Sequence, residues 1–371
     1  MKNHFAPARR MALLFAAAAA MAAAAQTAPP ATPPPPALKL SQVNAAGLPR
    51  QAQLFPPELK LETVFSGGCG VMEGMAAAAD GRIFFTEIMR STGCADSRGV
   101  PGGRIWTYDP ATGRARVFRE PSLMAAGLAI DSRGGLVAAE GADFGGRRIS
   151  RTDLATGEYR VVAYLFENRQ FNAPNDVAVD RQGRIWFSDI RLFGPETIDQ
   201  RISGLYRIDP PAEGHKGLWP IQRVVSNNAR INGVELSSDD RVLYAGLCEL
   251  GSSAIDEQAA PDLPRNGPGG ILAYEIQADG SLARPRVWFD LENGGCVDGM
   301  TVDATGNLYA TVNAAPDVRG IYVFSPSGQL LARYQLPGSE IAVNVVFGKG
   351  NDAASLYIAT LGVGKIYRLR R

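Results

Sequence analysis

Histidine and cysteine are scarce in this chain, and its charges are almost balanced. Only two of 371 residues are histidines, His4 and His215, and four are cysteines. No two cysteines have the close spacing of a zinc-binding pair, which argues against a tetrahedral zinc site. The formal net charge is +1. The composition therefore gives no electrostatic reason to expect nucleic acid or an anionic membrane as a partner.

Helical periodicity is also lacking. No stretch of about 10–15 residues with helical spacing of apolar residues lies between the predicted strands, which argues against alternating strands and helices. Glycine (41 residues) and proline (25 residues) are plentiful, and both favour short turns. Hydrophobic residues make up 46% of the chain, enough for a sizeable core. These features favour an all-β protein.

The N-terminal segment is predicted to lie outside the folded domain. Residues 1–25 have a basic start and an apolar, alanine-rich run, the layout of a secretory signal peptide cleaved after Ala25. An uncleaved anchor is the alternative, but the run is short for a membrane span of about 20 residues. Residues 26–54 are interpreted as a proline-rich linker and N-terminal extension. We therefore expect a periplasmic or secreted protein with no membrane contact after cleavage, exported by the Sec or the twin-arginine route.

One pattern recurs six times within residues 55–371. Each copy has a polar residue, a glycine or small residue, alternating apolar residues, a D-x-x-G or D-D turn and a second β-rich run. The copies begin 46 to 66 residues apart, at Glu73, Ala126, Asn175, Asn232, Asp298 and Asn344. Three or four strands per repeat at this spacing are typical of propeller blades. The pattern predicts a six-bladed β-propeller, with residues 60–67 completing the C-terminal blade.

The first residue of each copy is the position expected to carry the chemistry. Equivalent positions of successive blades lie on one ring around a propeller axis, so these residues should converge. Five of the six carry a carboxylate or amide oxygen, the ligands that Ca²⁺ prefers, whereas a zinc ring would hold thiolates or imidazoles. Asn and Asp are also common turn residues, which is the competing explanation. Four positions in register favour a metal site on the axis: Glu73, Asn175, Asn232 and Asp298.

Two residues are left open by the pattern. Asn344 occupies the sixth ring position, but no glycine follows it and its copy is the most irregular. Glu140 ends the second run of the second copy and could reach inward. The ring would also accept Zn²⁺, Mn²⁺ or Mg²⁺ in place of Ca²⁺.

The chain resembles the SMP-30/gluconolactonase/luciferin-regenerating-enzyme family, and in particular its bacterial gluconolactonase-like branch. The resemblance runs in order over nearly the whole mature chain and is carried by EGM (73–75), FNAPNDVAVDRQGRIWFSD (171–189), INGVELSSDDRVLYAG (231–246) and VDGMTVDATGNLYAT (297–311). It implies a six-bladed propeller with one axial divalent metal, usually Ca²⁺. It also implies Glu73, Asn232 and Asp298 as protein ligands, and Asn175 as a ligand or substrate contact.

The resemblance further implies Asp298 as the acid/base in lactone hydrolysis and Asn172 as a substrate contact. Two departures are informative. Paraoxonase-type relatives have a catalytic histidine where this chain has Ala126, so a histidine mechanism is not expected. The animal gluconolactonase pattern has arginine where this chain has Ala173, which leaves sugar-lactone specificity open.

The sequence thus predicts a metal-dependent hydrolase of a small lactone or ester, in which the metal polarises the carbonyl group. The alternatives are a non-catalytic binding propeller with a structural Ca²⁺ ion, and a phosphotriesterase- or aryl-esterase-type hydrolase on the same site. Phe193, in the loop after the third copy, is a further candidate substrate contact. A monomer or small homo-oligomer is expected.

Four cysteines in an exported chain suggest two disulfides, for which three pairings are possible. Cys69 and Cys94 flank the first copy, whereas Cys248 and Cys296 lie after the fourth copy and before Asp298. The prediction is Cys69–Cys94 and Cys248–Cys296, both bracing loops on the metal face.

Overall fold

The computed structural model describes most of the chain beyond residue 60. The described residues all fall in the compact unit Pro36–Arg371, and they are 38–39, 61–68, 71–88, 94–95, 99, 102–191, 194–212, 215, 217–226, 230–249, 269–292, 294–338, 340–362 and 364–370. The predicted signal peptide (1–25) lies outside them, as does the predicted linker (26–54) except for Leu38–Lys39.

Regular structure in this part of the chain consists of strands and one short 3₁₀ helix, Gly350–Asp352. The strands, in chain order, are β1 (Leu38–Lys39), β2 (Glu62–Ser66), β3 (Val71–Ala77), β4 (Ile83–Ile88), β5 (Arg104–Asp109), β6 (Arg114–Arg119), β7 (Ala125–Ile130), β8 (Gly135–Glu140), β9 (Arg148–Asp153), β10 (Tyr159–Ala163), β11 (Leu165–Phe166), β12 (Arg169–Gln170), β13 (Pro174–Val179), β14 (Ile185–Asp189), β15 (Gly204–Ile208), β16 (Ile221–Val225), β17 (Ile231–Leu236), β18 (Val242–Glu249), β19 (Gly270–Glu275), β20 (Arg286–Asp290), β21 (Gly295–Val302), β22 (Leu308–Asn313), β23 (Gly320–Phe324), β24 (Leu330–Tyr334), β25 (Ile341–Phe347), β26 (Ser355–Leu361) and β27 (Lys365–Arg370). The all-β prediction is confirmed. No helix among the described residues is long and apolar enough to cross a membrane.

Consecutive strands pair antiparallel, mostly in groups of four. The groups are β3–β6, β7–β10, β13–β16, β17–β20, β21–β24, and β25–β27 together with β2. In the last group β2 pairs with β27, so strands near both ends of the described chain share one sheet. Arg368 reinforces this closure through a two-pronged ion pair with Glu62. The prediction that residues 60–67 complete the C-terminal sheet is confirmed, and the grouping is consistent with a β-propeller.

The D-x-x-G motifs form the turns between the first and second strands of a group. At Asp180 the N–H of Gly183 donates to the Asp180 carbonyl (2.9 Å), and the Asp180 side chain accepts the Arg184 N–H (2.9 Å). Gly183 has φ +80°, a conformation that a residue with a Cβ rarely adopts. The same turn recurs at Asp131 and Asp303. A short motif thus sets these three hairpins and the register of their paired strands.

The hydrophobic core lies between neighbouring strand groups. Val137 and Ile149 of the second group pack in one buried cluster with Phe187 and Tyr206 of the third. Phe171 joins them, with its ring centroid 5.1 Å from that of Phe187. Such a core requires strands that are apolar on both faces, which explains why β8 and β14 are buried at every position.

Candidate metal centre

The six first residues of the sequence repeats lie on the first strand of each group. They are Glu73 on β3, Ala126 on β7, Asn175 on β13, Asn232 on β17, Asp298 on β21 and Asn344 on β25. In the four copies with a glycine after the first residue, the neighbouring first strand approaches too closely for a side chain at that glycine. A Cβ on Gly74 would lie 2.0 Å from the Ala126 carbonyl oxygen, and one on Gly233 would lie 2.0 Å from that of Asp298. The small residue in the repeat is therefore required by backbone packing.

Further contacts link the remaining neighbours. A Cβ on Gly127 would lie 2.7 Å from the Asn175 carbonyl oxygen, and one on Gly299 would lie 2.3 Å from the Asn344 side chain. Asp176 takes the glycine position in the third copy, and its carboxylate accepts the Val234 N–H of β17 (2.8 Å). The first strands of the groups thus follow one another in chain order and bring their first residues together.

Two carboxyl groups of this set are close neighbours. Glu73 and Asp298 are each 8% exposed, and each lies within the electrostatic influence of the other. Burial, and then the charges of Asp298 and Asp176, raise the pKa of Glu73 well above its ordinary value. Burial, and then the charge of Asp176, raise the pKa of Asp298 to about 7. Two buried acids held together in this way are unfavourable when both are ionised and nothing neutralises them.

Two amides of the set complete the polar cluster. Asn232 hydrogen-bonds Asp298, and Asn344 hydrogen-bonds Glu73. The Asn232 Nδ2 also lies 3.4 Å from the sulfur of Cys296. The Asn232 Oδ1, although buried, has no hydrogen-bond partner among the described residues. Because an unsatisfied buried acceptor costs about 1–3 kcal/mol, this oxygen indicates a missing electropositive partner.

These residues fit a hard divalent cation. Two carboxylates balance its charge, and the unpartnered amide oxygen of Asn232 supplies a neutral ligand. No group of three His, Cys, Asp or Glu side chains suited to a metal occurs in the described chain. Amide oxygens must therefore complete any coordination shell, which is the ligand type of calcium and not of zinc. Asn175 is half-buried and lines a small cavity.

The structure gives a setting for both residues that the sequence left open. Asn344 lies beside Glu73, and its side chain lowers the pKa of that carboxyl. Glu140 does not, because its fully buried carboxylate is held by Arg119 (3.0 Å), Arg148 (2.6 Å) and the hydroxyls of Ser150 and Tyr159. Glu140 therefore stabilises its own strand group.

Buried hydroxyl groups on the second strands tie the first strands together, and the sequence analysis missed them. Ser188 Oγ donates to the Asn232 carbonyl (2.6 Å) and accepts the Asp176 N–H (3.1 Å). Thr86 and Thr311 occupy equivalent positions and donate to backbone oxygens of first strands. The signal was present as a Ser or Thr at the same place in three copies, before Glu87, Asp189 and Val312.

Asn172 is held by the loop segment that follows β14. Its Oδ1 accepts the N–H groups of Asp199 and Gln200 (3.0 Å each), and its Nδ2 donates to the Gln200 carbonyl (2.6 Å). The carboxylate of Asp189 accepts the N–H groups of Asn172 and Ala173. These bonds give Asn172 a loop-holding role, and its substrate contact stays a prediction. Phe193, the other predicted contact, lies outside the described residues.

The predicted disulfide between Cys248 and Cys296 is present. It joins β18 to β21, two residues before Asp298, and Ile190 packs against it. Cys94 is buried, whereas Cys69 lies outside the described residues, so the Cys69–Cys94 pairing stays a prediction.

Comparisons with known proteins were made for the sequence and for the fold. Residues 73–362 match the SMP-30/Gluconolactonase/LRE-like region. A gluconolactonase of Zymomonas mobilis is 28% identical over 246 residues, which cover 62% of this chain and 59% of that protein. The match thus spans about three fifths of that relative. A pentonolactonase of Haloferax volcanii is 27% identical over 264 residues, covering 71% of this chain and 76% of the relative.

Solved structures show the same fold. A gluconolactonase from Xanthomonas campestris superposes with a TM-score of 0.66 and 24% identity, over 92% of this chain and 98% of the other. A calcium-binding protein, regucalcin, from Agrobacterium tumefaciens superposes with a TM-score of 0.59 and 19% identity, over 85% and 94% of the two chains. Both solved structures are thus covered over at least 94% of their own length.

Proposed function

Because this chain belongs to the SMP-30/gluconolactonase/LRE-like family, we propose that it hydrolyses a small lactone or ester with the help of one divalent cation, Ca²⁺. Relatives named as a gluconolactonase and a pentonolactonase support the reaction class. A neighbouring fold named as a calcium-binding protein supports the metal. The single observation that carries the proposal is the buried pair of carboxyl groups beside the unpartnered amide oxygen of Asn232.

The proposed architecture is a six-bladed propeller with the metal on its axis. The strand groups, the contacts between consecutive first strands and the β2–β27 closure support it. The proposed protein ligands are Glu73, Asn175, Asn232 and Asp298. Asn344 is the best placed residue to orient Glu73, to which it is hydrogen-bonded.

When bound, a divalent cation supplies electrophilic polarisation of the substrate carbonyl oxygen. Asp298 accepts a proton from the attacking water as the bond from water oxygen to carbonyl carbon forms. It then returns that proton to the ring or ester oxygen as the carbon–oxygen bond breaks, and a hydroxy acid or an acid and an alcohol leave. Asn232 orients Asp298 through its hydrogen bond, and Ser188 fixes the backbone of Asn232.

The test uses the mature protein stripped of metal with a chelator. Calorimetric titration with Ca²⁺, Mn²⁺, Mg²⁺ and Zn²⁺ measures affinity, and a panel of lactones and esters measures turnover before and after each metal is restored. We expect Ca²⁺ to restore hydrolysis. Full activity in the chelated protein would overturn the proposal, and Ca²⁺ binding without hydrolysis of any substrate would favour a binding module.

Variants assign the roles. Asp298→Asn should keep the fold and remove most turnover, and Glu73→Gln should weaken Ca²⁺ binding by about 100-fold, since a ligand matters at least as much as its supporting groups. Glu275→Gln, on an exposed position of β19, is the matched control and should change neither turnover nor Ca²⁺ affinity. Equal Ca²⁺ affinity of Glu73→Gln and wild type would exclude Glu73 as a ligand.

We also propose export and cleavage after Ala25, giving a periplasmic or secreted protein. The Cys248–Cys296 disulfide supports an oxidising compartment. The intact mass of the protein purified from its native host tests this, since retention of residues 1–25 would contradict it.

A further inference from the structure

A small cavity adjoins two neighbouring members of the proposed metal ring. Ala126 and Asn175 both line it, and its volume is about 30 Å³. One water-sized group needs about 10–15 Å³ of such space, so the cavity accommodates two or three heavy atoms. Because Ala126 and Asn175 belong to the proposed metal ring, a substrate held at the metal has this cavity beside it.

The cavity wall is apolar. It is formed mainly by the side chains of Ile88, Met124, Ala126, Ala142, Ala173 and Ile190. Asn175 supplies the one polar side chain among its described lining residues.

Charged groups near the cavity are engaged elsewhere. The carboxylate of Asp189 accepts the backbone N–H groups of Asn172 and Ala173. The two terminal nitrogens of the buried Arg191 guanidinium donate to the Asn172 carbonyl (2.8 Å) and to the carboxylate of Glu196 (3.0 Å), whereas its Nε has no partner among the described residues. These groups hold the loop backbone, and a hydroxyl placed in the cavity would find few partners.

The wall is also fixed in place. Gly141 N–H donates to the Met124 carbonyl (2.9 Å). Directly after Ala142, the carboxylate of Glu196 accepts the N–H groups of Asp143 (3.2 Å) and Phe144 (2.7 Å). Backbone bonds thus hold the segments that carry Met124 and Ala142, and the cavity is preformed for a ligand group.

We propose that this cavity is the subsite for a short alkyl substituent, so that the substrate is a lactone carrying an alkyl group of two or three carbons. A polyhydroxylated sugar lactone fits it poorly, because each buried hydroxyl loses its hydrogen bonds to water. The inference rests on the proposed lactone hydrolysis and specifies its substrate class.

The test is a series of γ-lactones with hydrogen, methyl, ethyl, propyl and pentyl at the carbon bonded to the ring oxygen. We expect kcat/KM to rise about fourfold per carbon, the value for burying one methylene, up to ethyl or propyl, and to fall for pentyl. The hydroxymethyl lactone is isosteric with the ethyl lactone and should be about 10- to 100-fold poorer. Binding of the same lactones to Asp298→Asn, measured by calorimetry, should follow the same order.

Two substitutions at Ala142 locate the subsite. Ala142→Val fills the cavity and should lower kcat/KM for the propyl lactone about tenfold while leaving the unsubstituted lactone unchanged. Ala142→Ser adds a hydrogen-bonding group with little change in side-chain size. It should reduce the difference in kcat/KM between the ethyl and the hydroxymethyl lactone. Ala155→Val, in an exposed turn, is the control and should change neither ratio.

The outcomes separate the two levels of the proposal. If no lactone or ester is hydrolysed, the proposed function itself is wrong. If lactones are hydrolysed but the hydroxymethyl lactone or gluconolactone is preferred over the ethyl lactone, only the subsite inference is wrong. The subsite inference is equally wrong if Ala142→Val lowers the rates of all lactones alike.

Discussion

Glu235 is a partly buried acid on β17, and its ionisation should make the protein less stable at alkaline pH. It lines a cavity of about 370 Å³ with Asp176, Asp240 and Lys349. Burial raises its pKa to about 8, and the charges of Asp176 and Asp240 add to this. The N–H of Leu236, which donates to the carboxylate (2.7 Å), and the charge of Lys349 act in the opposite direction.

The sign of the effect follows from the raised pKa. The folded protein keeps the Glu235 proton up to about pH 8, whereas the unfolded chain releases it near pH 4.5. This residue's contribution to stability is therefore complete below pH 4.5 and is lost as the pH rises through 8. This difference between the folded and the unfolded pKa of Glu235 corresponds to a free energy of about 5 kcal/mol. Because the side chain faces a cavity and is not packed on all sides, we expect about half of that, roughly 2–3 kcal/mol.

The perturbation is Glu235→Gln, which retains the shape and removes the charge. Free energies of unfolding in urea, measured in chelator from pH 5 to pH 9, should agree between variant and wild type at pH 5. At pH 9 the variant should be more stable by about 2–3 kcal/mol. Glu275→Gln, exposed on β19, should show no such divergence. A difference between pH 5 and pH 9 below about 0.5 kcal/mol, the range of ordinary surface substitutions, would refute the reasoning.

Three further predictions concern the frame and the metal. Gly74→Ala places a methyl group 2.0 Å from a carbonyl oxygen of β7 and should cost more than about 3 kcal/mol in urea unfolding. Gly113→Ala, which meets open space at φ +67°, should cost only about 1 kcal/mol, and equal costs would contradict the steric argument. Reducing the bond between Cys248 and Cys296, 48 residues apart, should lower stability by about 4 kcal/mol, and an unchanged melting temperature in reductant would contradict this. Ca²⁺ at 100 times its Kd should add about 3 kcal/mol to the metal-stripped protein, and a melting temperature that does not respond to Ca²⁺ would count against the site.

Many of the strands and turns were predictable because residues close together in the sequence determine them. Alternating apolar residues and the D-x-x-G turn at Asp180 define a hairpin within about fifteen residues, and the six copies of this pattern predicted that their first residues lie near one another. The pairing of β2 with β27 followed from the same repeat, since the last copy needed one more strand. The positions of Cys248 after the fourth copy and of Cys296 just before Asp298 likewise favoured a disulfide between these two cysteines.

What the sequence by itself determined, then, is which residues stand at the start of each first strand. Only the tertiary structure decided what those residues and their neighbours touch. Glu140 has the same place in its repeat as Asp189, yet one binds arginines and the other binds backbone N–H groups. The unpartnered oxygen of Asn232 also appears only when the surrounding strands are in place. The physical reason is range: strand periodicity depends on residues next to each other in the chain, whereas the buried polar groups at these two strand ends take their partners from segments 8 to 21 residues away.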